Sequence, residues 1–270
     1  MADATLQHDV VHAVPGAYEA PLFGAYSKKV GMWLFLASDS LTFGALLFAF
    51  SYNRIYTQWP TPFHVQSIIH STIMTACLLS SSLTMVMAVF AAQRSDRTWT
   101  RYWLLATMAF GTAFIVLHGM EWSKLISEGL TIPWFLKLST AGAATGEMAD
   151  ISKNTPQFPA TFFGLTAMHM LHVTIGVIYL GVMAFRKWFL PVLAVLWATG
   201  YFLIPSDNVF HYGIHALGLG LIVATIVLFL KPKDYDAQDV EVSGLYWHFV
   251  DLVWMFIFPL VYLLSTKITQ

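Results

Sequence analysis

Residues 244–264 read GLYWHFVDLVWMFIFPLVYLL, an apolar run that contains one imidazole, His248, and one carboxylic acid, Asp251. At about 1.5 Å of rise per residue, a helix of this length crosses about 30 Å of hydrocarbon. An ionisable group at such a depth is costly, so it normally faces another helix or a wet cavity. The run therefore predicts a membrane helix whose polar side chains point into a helix bundle.

The composition extends this prediction to the whole chain. Of its 270 residues, 57% are apolar and 11% are charged, whereas about 25% are charged in an ordinary soluble domain. This balance is typical of a polytopic membrane protein. The formal net charge of −1 gives no reason to expect nucleic-acid binding, because that function needs clustered Lys and Arg.

The apolar runs predict an all-α bundle of seven transmembrane helices. The expected spans are residues 30–52, 67–92, 102–124, 161–185, 188–204, 209–230 and 244–266. The run at 188–204 is close to the lower length limit for a span, so it is either a short span or a re-entrant segment. Residues 1–29 are interpreted as a polar tail and residues 30–270 as a single transmembrane domain. Residues 125–160 are expected to form a long outer loop and residues 231–243 a charged inner loop.

The basic residues of the loops predict the orientation. If the N-terminus is inside, nine Lys and Arg lie on the inner side and five on the outer side. Positive residues concentrate in cytoplasmic loops of membrane proteins. The expected topology is therefore N-in, C-out.

The cysteine count limits the redox chemistry that this chain could carry. A lone Cys77 excludes an intrachain disulfide, a multi-cysteine zinc site, a thiolate-held iron-sulfur cluster and the CxxCH attachment of c-type haem. Any redox centre bound by this chain would need His or Met ligands.

Three pairs of polar residues in the spans are spaced i, i+3, so that each pair shares one helix face. They are His118 with Glu121, His169 with His172, and His248 with Asp251. One interpretation makes the histidines ligands of haem or copper. The favoured interpretation is interhelical hydrogen bonding and cavity lining, because the histidines are expected at different depths and so do not pair as ligands.

Asp39 stands alone in the first span and has two interpretations. It is either a neutral acid bonded to a neighbouring helix or a group that takes up and releases protons. His211 and His215, spaced i, i+4 at the start of the sixth span, could form a metal site, but an interfacial or subunit-contact role is favoured.

Four segments together resemble subunit III of the haem-copper oxidases. GLYWHFVDLVWMFIFPLVYL resembles the last helix of that family, with its pattern YWHFVDxVW, and TFFGLTAMHMLHVTIGVIYL resembles the helix with the pattern H-x-L-H-V. VGMWLFLASDSLTFGALLFAF resembles the first core helix, in which Asp39 occupies the position of an acid. HGMEW resembles a Q-x-x-E-Y/W element, with His118 in place of Gln, and Glu241 falls where the family carries a glutamate.

The resemblance implies a non-catalytic accessory subunit of a proton-pumping terminal oxidase in a bacterial cytoplasmic (inner) membrane. Such a chain binds no haem, copper or other metal, and has no catalytic residue. It contacts subunit I, which holds the haems and the copper where O2 is reduced to water, and it supports assembly, proton uptake and sustained turnover. Further expected partners are subunit II, a subunit IV or a supercomplex partner, and membrane phospholipid.

The resemblance also implies roles for single residues. Asp39 is the candidate for proton uptake, and Glu241 is a candidate for the inner end of the last helix and for lipid binding. The expected interhelical polar network consists of His118, Glu121, His169, His172, His248 and Asp251.

Two departures from the family pattern leave alternatives open. The sequence resembles the short N-terminal form, which lacks two helices, and it carries an inserted hairpin at 188–230. That hairpin either replaces the missing helices or contacts an additional subunit. The alternative functions are a subunit III homologue of a nitric oxide reductase system and a haem-bearing b-type electron carrier.

Overall fold

A computed structural model describes residues 27–57, 59–131, 147–185 and 236–265. These residues form helices, and no strand occurs among them. The helices are α1 (Ser27–Tyr56), α2 (Val65–Gln93), α3 (Arg97–Ser127), α4 (Glu147–Asn154), α5 (Gln157–Phe185) and α6 (Ala237–Ile257). After α6 the chain continues as a π turn, Phe258–Tyr262, and a short 3-10 turn, Leu263–Ser265.

Five of these helices are long and apolar enough to cross a membrane: α1, α2, α3, α5, and α6 with its continuation to Ser265. They coincide with five predicted spans and confirm a helical membrane bundle. The spans expected at 188–204 and 209–230 lie outside the described residues, as do His211 and His215. The total of seven spans and the N-in, C-out orientation remain predictions.

The prediction of an inner loop at 231–243 is wrong for its second half, because residues 237–243 form the first two turns of α6. The Asp236 carboxylate accepts a hydrogen bond from the backbone N–H of Asp239 at 3.0 Å, and Asp239 accepts one from the backbone N–H of Asp236 at 3.3 Å. This capping box satisfies N–H groups that a helix start leaves unpaired. The acidic residues therefore begin the helix.

The other two non-spanning regions also contain more helix than expected. α1 begins at Ser27, inside the predicted polar tail. The predicted outer loop 125–160 contains the end of α3, all of α4 and the start of α5. The Ser152 hydroxyl of α4 accepts the backbone N–H of Thr131 at 3.0 Å, which ties α4 to the segment that follows α3.

The core lies where α3, α5 and α6 meet around one indole ring. A Cβ at Gly111 of α3 would lie 2.6 Å from Trp247, and one at Gly176 of α5 would lie 2.9 Å from it. Small residues let membrane helices approach closely, and packing rather than the hydrophobic effect then holds them together. The two glycines thus form the slot that the Trp247 side chain of α6 occupies.

The surface of the bundle is apolar and its interior contains ionisable side chains. On α1, Leu34 is 69%, Leu41 77% and Phe48 70% exposed, whereas Asp39 is 8% exposed. A helix on a water-soluble protein shows the opposite distribution. This distribution and the five apolar helices indicate a multi-pass membrane protein.

Candidate functional site

The buried acid of α1 pairs with an imidazole of α5. Oδ2 of Asp39 lies 3.3 Å from Nε2 of His172, and both side chains are at least nine-tenths buried. Asp39, which has no ionisable neighbour at helical spacing in its own span, thus meets its partner on a neighbouring helix. The pair joins two helices whose contacting residues are far apart in the sequence.

One nitrogen of the His172 imidazole is already bound within its own helix. Nδ1 of His172 lies 2.7 Å from the backbone carbonyl of Met168, and because a carbonyl only accepts, Nδ1 is the donor. In a neutral ring Nε2 would then face the Asp39 oxygen with a lone pair. The 3.3 Å contact between Nε2 and Oδ2 of Asp39 is within ion-pair distance but lacks hydrogen-bond geometry, because Oδ2 has no hydrogen-bond partner in the described residues.

Two aromatic side chains lie next to the pair. The Tyr246 hydroxyl of α6 donates to the backbone carbonyl of His172 at 3.0 Å. The Phe43 ring of α1 packs edge-on against the His172 imidazole, with 5.1 Å between ring centroids. Chemically, the arrangement can exchange a proton between a carboxyl group and an imidazole inside an apolar bundle.

A second set of polar side chains surrounds Glu121 of α3. The Tyr262 hydroxyl donates to Oε2 of Glu121 at 2.8 Å, and Nδ1 of His118 lies 3.5 Å from the same oxygen. Tyr262 belongs to the π turn, which contains Pro259. Proline has no N–H to continue the regular helix bonding, and a π turn often accompanies such a break. The break brings the end of the last span to the α3 carboxylate.

His118 and His169 lie at the same level of the bundle. Both imidazoles pack against Phe114, at centroid distances of 5.6 Å each, and against Trp254, at 5.7 Å and 5.2 Å. The expectation that these histidines lie at different depths is therefore wrong. Nε2 of His169 donates to the backbone carbonyl of Val250 at 3.0 Å. Within the described ranges, no three His, Cys, Asp or Glu side chains come together as a metal-binding group.

The polar pair within the apolar run of α6 contacts a serine of α2. The Ser82 hydroxyl lies 2.7 Å from Nδ1 of His248 and also forms a hydrogen bond with the Asp251 side chain. Ser82 of α2 thus meets both polar side chains of α6. Hence the polar side chains named in the predicted network occur in three sets, around Asp39, Glu121 and Ser82.

The sequence analysis missed the hydroxyl side chains of α2 that bind the indoles of α6. Nε1 of Trp247 donates to Ser81, and Nε1 of Trp254 donates to Thr75, both at 2.9 Å. The tryptophans are seven residues apart, and their partners are six apart in the opposite order. Matching these two spacings between antiparallel helices is the signal that could have predicted the contacts.

Glu241 lies in an ion-pair cluster at the start of α1 and α6. Nζ of Lys29 lies 2.6 Å from its Oε1, and Nζ of Lys28 lies 2.8 Å from Oδ1 of Asp239. Two consecutive lysines thus meet two acids of α6. Glu241 therefore already has a cationic partner on its own chain.

No protein-family model matches the chain. It is 27% identical over 257 residues to "Cytochrome c oxidase subunit 3" of Thermostichus vulcanus, which covers 94% of this chain and 93% of that protein. It is 25% identical over 266 residues to "Cytochrome bo(3) ubiquinol oxidase subunit 3" of Pseudomonas aeruginosa, covering 98% and 95%. It is also 23% identical over 257 residues to "Heme-copper oxidase subunit I+III" of Aeropyrum pernix, covering 93% of this chain and 24% of that protein. These names favour neither the nitric oxide reductase subunit nor the b-type electron carrier.

Proposed function

We propose that this chain, which belongs to the subunit III family of the haem-copper oxidases, docks on subunit I of its complex and sustains proton uptake there. It is an accessory subunit of a haem-copper oxidase. In our proposal the haems and the copper belong to partner subunits, and the complex reduces O2 to water in the bacterial inner membrane. In the proposal the chain also contacts subunit II and membrane phospholipid.

Direct contact with subunit I is supported by the name of one relative. The Aeropyrum pernix protein carries both subunits in one polypeptide, "subunit I+III", and this chain matches 24% of it. Two polypeptides that can be joined in this way are expected to lie side by side. The apolar outer face of α1, which includes Leu34, Leu41 and Phe48, is a surface that either lipid or subunit I can cover.

The single observation that carries the proton-uptake proposal is the pair formed by Asp39 and His172. Its 3.3 Å contact places two groups that can each bind a proton side by side inside the bundle. Ionisable groups inside membrane helices are costly and commonly mark proton pathways. In the proposal the pair relays protons toward the catalytic subunit and is reloaded between turnovers.

Co-purification tests the assignment to an oxidase complex. The tagged chain is extracted in mild detergent, and its partners and visible spectrum are recorded. We expect subunits I and II to accompany it, and the haem absorbance to disappear when they are removed. A Soret band that stays with the isolated chain after detergent exchange would instead support the b-type electron carrier.

Replacing Asp39 by Asn tests the proton-uptake role. Asn keeps the size of the side chain but cannot release a proton. We expect the oxidase spectrum to be unchanged and turnover to slow during sustained activity, more strongly at high pH, because protons are then scarce. The control is Asp251→Asn, which alters another buried acid and should leave turnover unchanged. Equal turnover in Asp39→Asn and wild type, or a complex that no longer assembles, would show that Asp39 is structural.

A further inference from the structure

Four helices of the bundle meet at a cavity of about 350 Å³. α2 and α5 end at this cavity, and α3 and α6 begin there. α2 packs on α3, α3 on α5, α5 on α6, and α6 on α2, so the four helices form a closed ring. We call this space the Arg101 cavity, and the lining residues that matter below are Arg97, Arg101, Leu104, Met183, Asp236 and Val240.

The position of the Arg101 cavity inside the ring decides which molecules can reach it. Its deepest lining residue on α3, Leu104, is seven residues from the start of that helix. At about 1.5 Å of rise per residue, the cavity extends about 10 Å into the bundle from the helix ends. A molecule whose hydrocarbon chains stay in the membrane would have to pass them between packed helices. We therefore expect the ligand to enter from water.

Two guanidinium groups line the cavity from one face of α3. Arg97 and Arg101 are four residues apart, so they are neighbours on that helix, where like charges repel. Neither arginine forms an ion pair with an acid in the described part of the chain. The carboxylate of Asp236, which also lines the cavity, accepts the backbone N–H of Asp239 at 3.0 Å instead. An anion between the two guanidinium groups would offset their repulsion.

Other polar groups at the cavity already have hydrogen-bond partners. The Thr100 hydroxyl donates to the backbone carbonyl of Asp96 at 2.7 Å. At the end of α2, the carbonyls of Ala92 and Ala91 accept the backbone N–H groups of Ser95 and Asp96 at 2.9 and 3.1 Å. The guanidinium groups are therefore the charged donors that this cavity offers to a ligand.

The floor of the Arg101 cavity is apolar. Leu104, Met183 and Val240 line it and are 2%, 6% and 5% exposed. At about 30 Å³ for each water molecule, the cavity has room for about twelve. An inorganic oxyanion bound to the arginines would leave much of this floor covered by water alone. A ligand that also carries an organic part would cover the floor and gain from its burial.

We propose that the Arg101 cavity binds a water-soluble phosphate monoester. The phosphate lies between the guanidinium groups of Arg97 and Arg101, and its organic part covers the apolar floor. A monoester carries about −1.5 to −2 charge at pH 7, which matches two cations, and a guanidinium group can donate to two phosphate oxygens at once. The site shares no residue with the Asp39 and His172 pair, so it goes beyond the proposed role in proton uptake.

Equilibrium dialysis of the extracted chain, with whatever subunits accompany it, tests the proposal. The probe is labelled adenosine monophosphate, and the competitors are inorganic phosphate and adenosine. We expect phosphate to displace the probe only at higher concentration, and adenosine not to displace it. Arg101→Gln should weaken binding by about tenfold or more, because hydrogen bonds to charged groups are lost. The matched control Arg94→Gln removes an exposed arginine that does not line the cavity and should bind as wild type does.

A second variant covers the case in which Arg101→Gln fails to fold. Arg97 is the first residue of α3 and is exposed, so Arg97→Gln should leave the packed helices intact and also weaken binding about tenfold. Unchanged affinity in the variants that fold would overturn the proposal, and so would adenosine that binds as tightly as the probe. Binding of inorganic phosphate as tight as that of the probe, or displacement by phosphatidate but not by phosphate, would overturn it as well.

Discussion

Replacing Gly111 by Ala should force the core of the bundle apart. The added Cβ would lie 2.6 Å from Cη2 of Trp247 and 2.9 Å from Cγ2 of Val177, whereas carbon atoms normally pack about 3.5–4.0 Å apart. The methyl group is thus about 0.9 Å too close to the indole. The ring cannot retreat freely, because its opposite edge already meets Gly176, where a Cβ would lie 2.9 Å from it.

The size of the effect follows from this confinement. Overpacking a well-packed core by one methyl group costs about 1–3 kcal/mol, and the blocked retreat of the ring places Gly111→Ala near the upper end. A cost of about 3 kcal/mol lowers the folding equilibrium constant roughly 150-fold, since about 1.4 kcal/mol is a factor of ten. The measurement is the shift in unfolding free energy of the detergent-solubilised chain during titration with SDS, followed by tryptophan fluorescence.

Two further variants decide whether the reasoning is right. Gly119→Ala is the matched control on the same helix, because a Cβ there meets no atom within 4 Å. It should leave stability unchanged or raise it by up to about 1 kcal/mol through helix propensity. Trp247→Phe shortens the ring and should reduce the cost of Gly111→Ala when the two are combined. The reasoning is refuted if Gly111→Ala costs no more than Gly119→Ala, or if the double variant shows no coupling.

Two other substitutions have predictable effects. Tyr262→Phe removes the hydroxyl that donates to Glu121 at 2.8 Å. It should lower the free energy of unfolding by about 1–3 kcal/mol in the same SDS titration. A loss no larger than that of the exposed control Tyr52→Phe would contradict this prediction. Lys29→Glu places an acid against Glu241, whose side chain is 38% exposed, so solvent screening should limit the loss to about 0.2–1 kcal/mol. The charge swap with Glu241→Lys should restore stability at low salt, and an identical loss in 1 M salt would show that the ion pair is not responsible.

The helices of this protein were largely predictable from single segments of the sequence. Length and hydropathy are local properties, so five spans were found, and four of them begin and end within five residues of the observed helices. The start of α6 was predicted too late because acidic residues were interpreted as loop. The carboxylates of Asp236 and Asp239 form a capping box, and an acid three residues after another acid before an apolar run was a signal for it.

The sequence predicted which polar residues lie inside the spans, but it did not predict which of them contact one another. Hydropathy identified Asp39, His118, Glu121 and His172 as unusual residues in their spans. It did not identify the partner of Asp39, because that partner is on a helix 133 residues away in the sequence.

The sequence alone determined that this chain crosses a membrane and which side chains are too polar to face lipid, because hydropathy, span length and residue chemistry belong to each segment separately. The tertiary structure decided which of these side chains meet. His118 and His169 share one level around Trp254, and Asp39 meets His172. Both results depend on the relative height and rotation of packed helices. Close contacts such as that of Trp247 with Gly111 and Gly176 set that height and rotation, and they form only when separate helices come together.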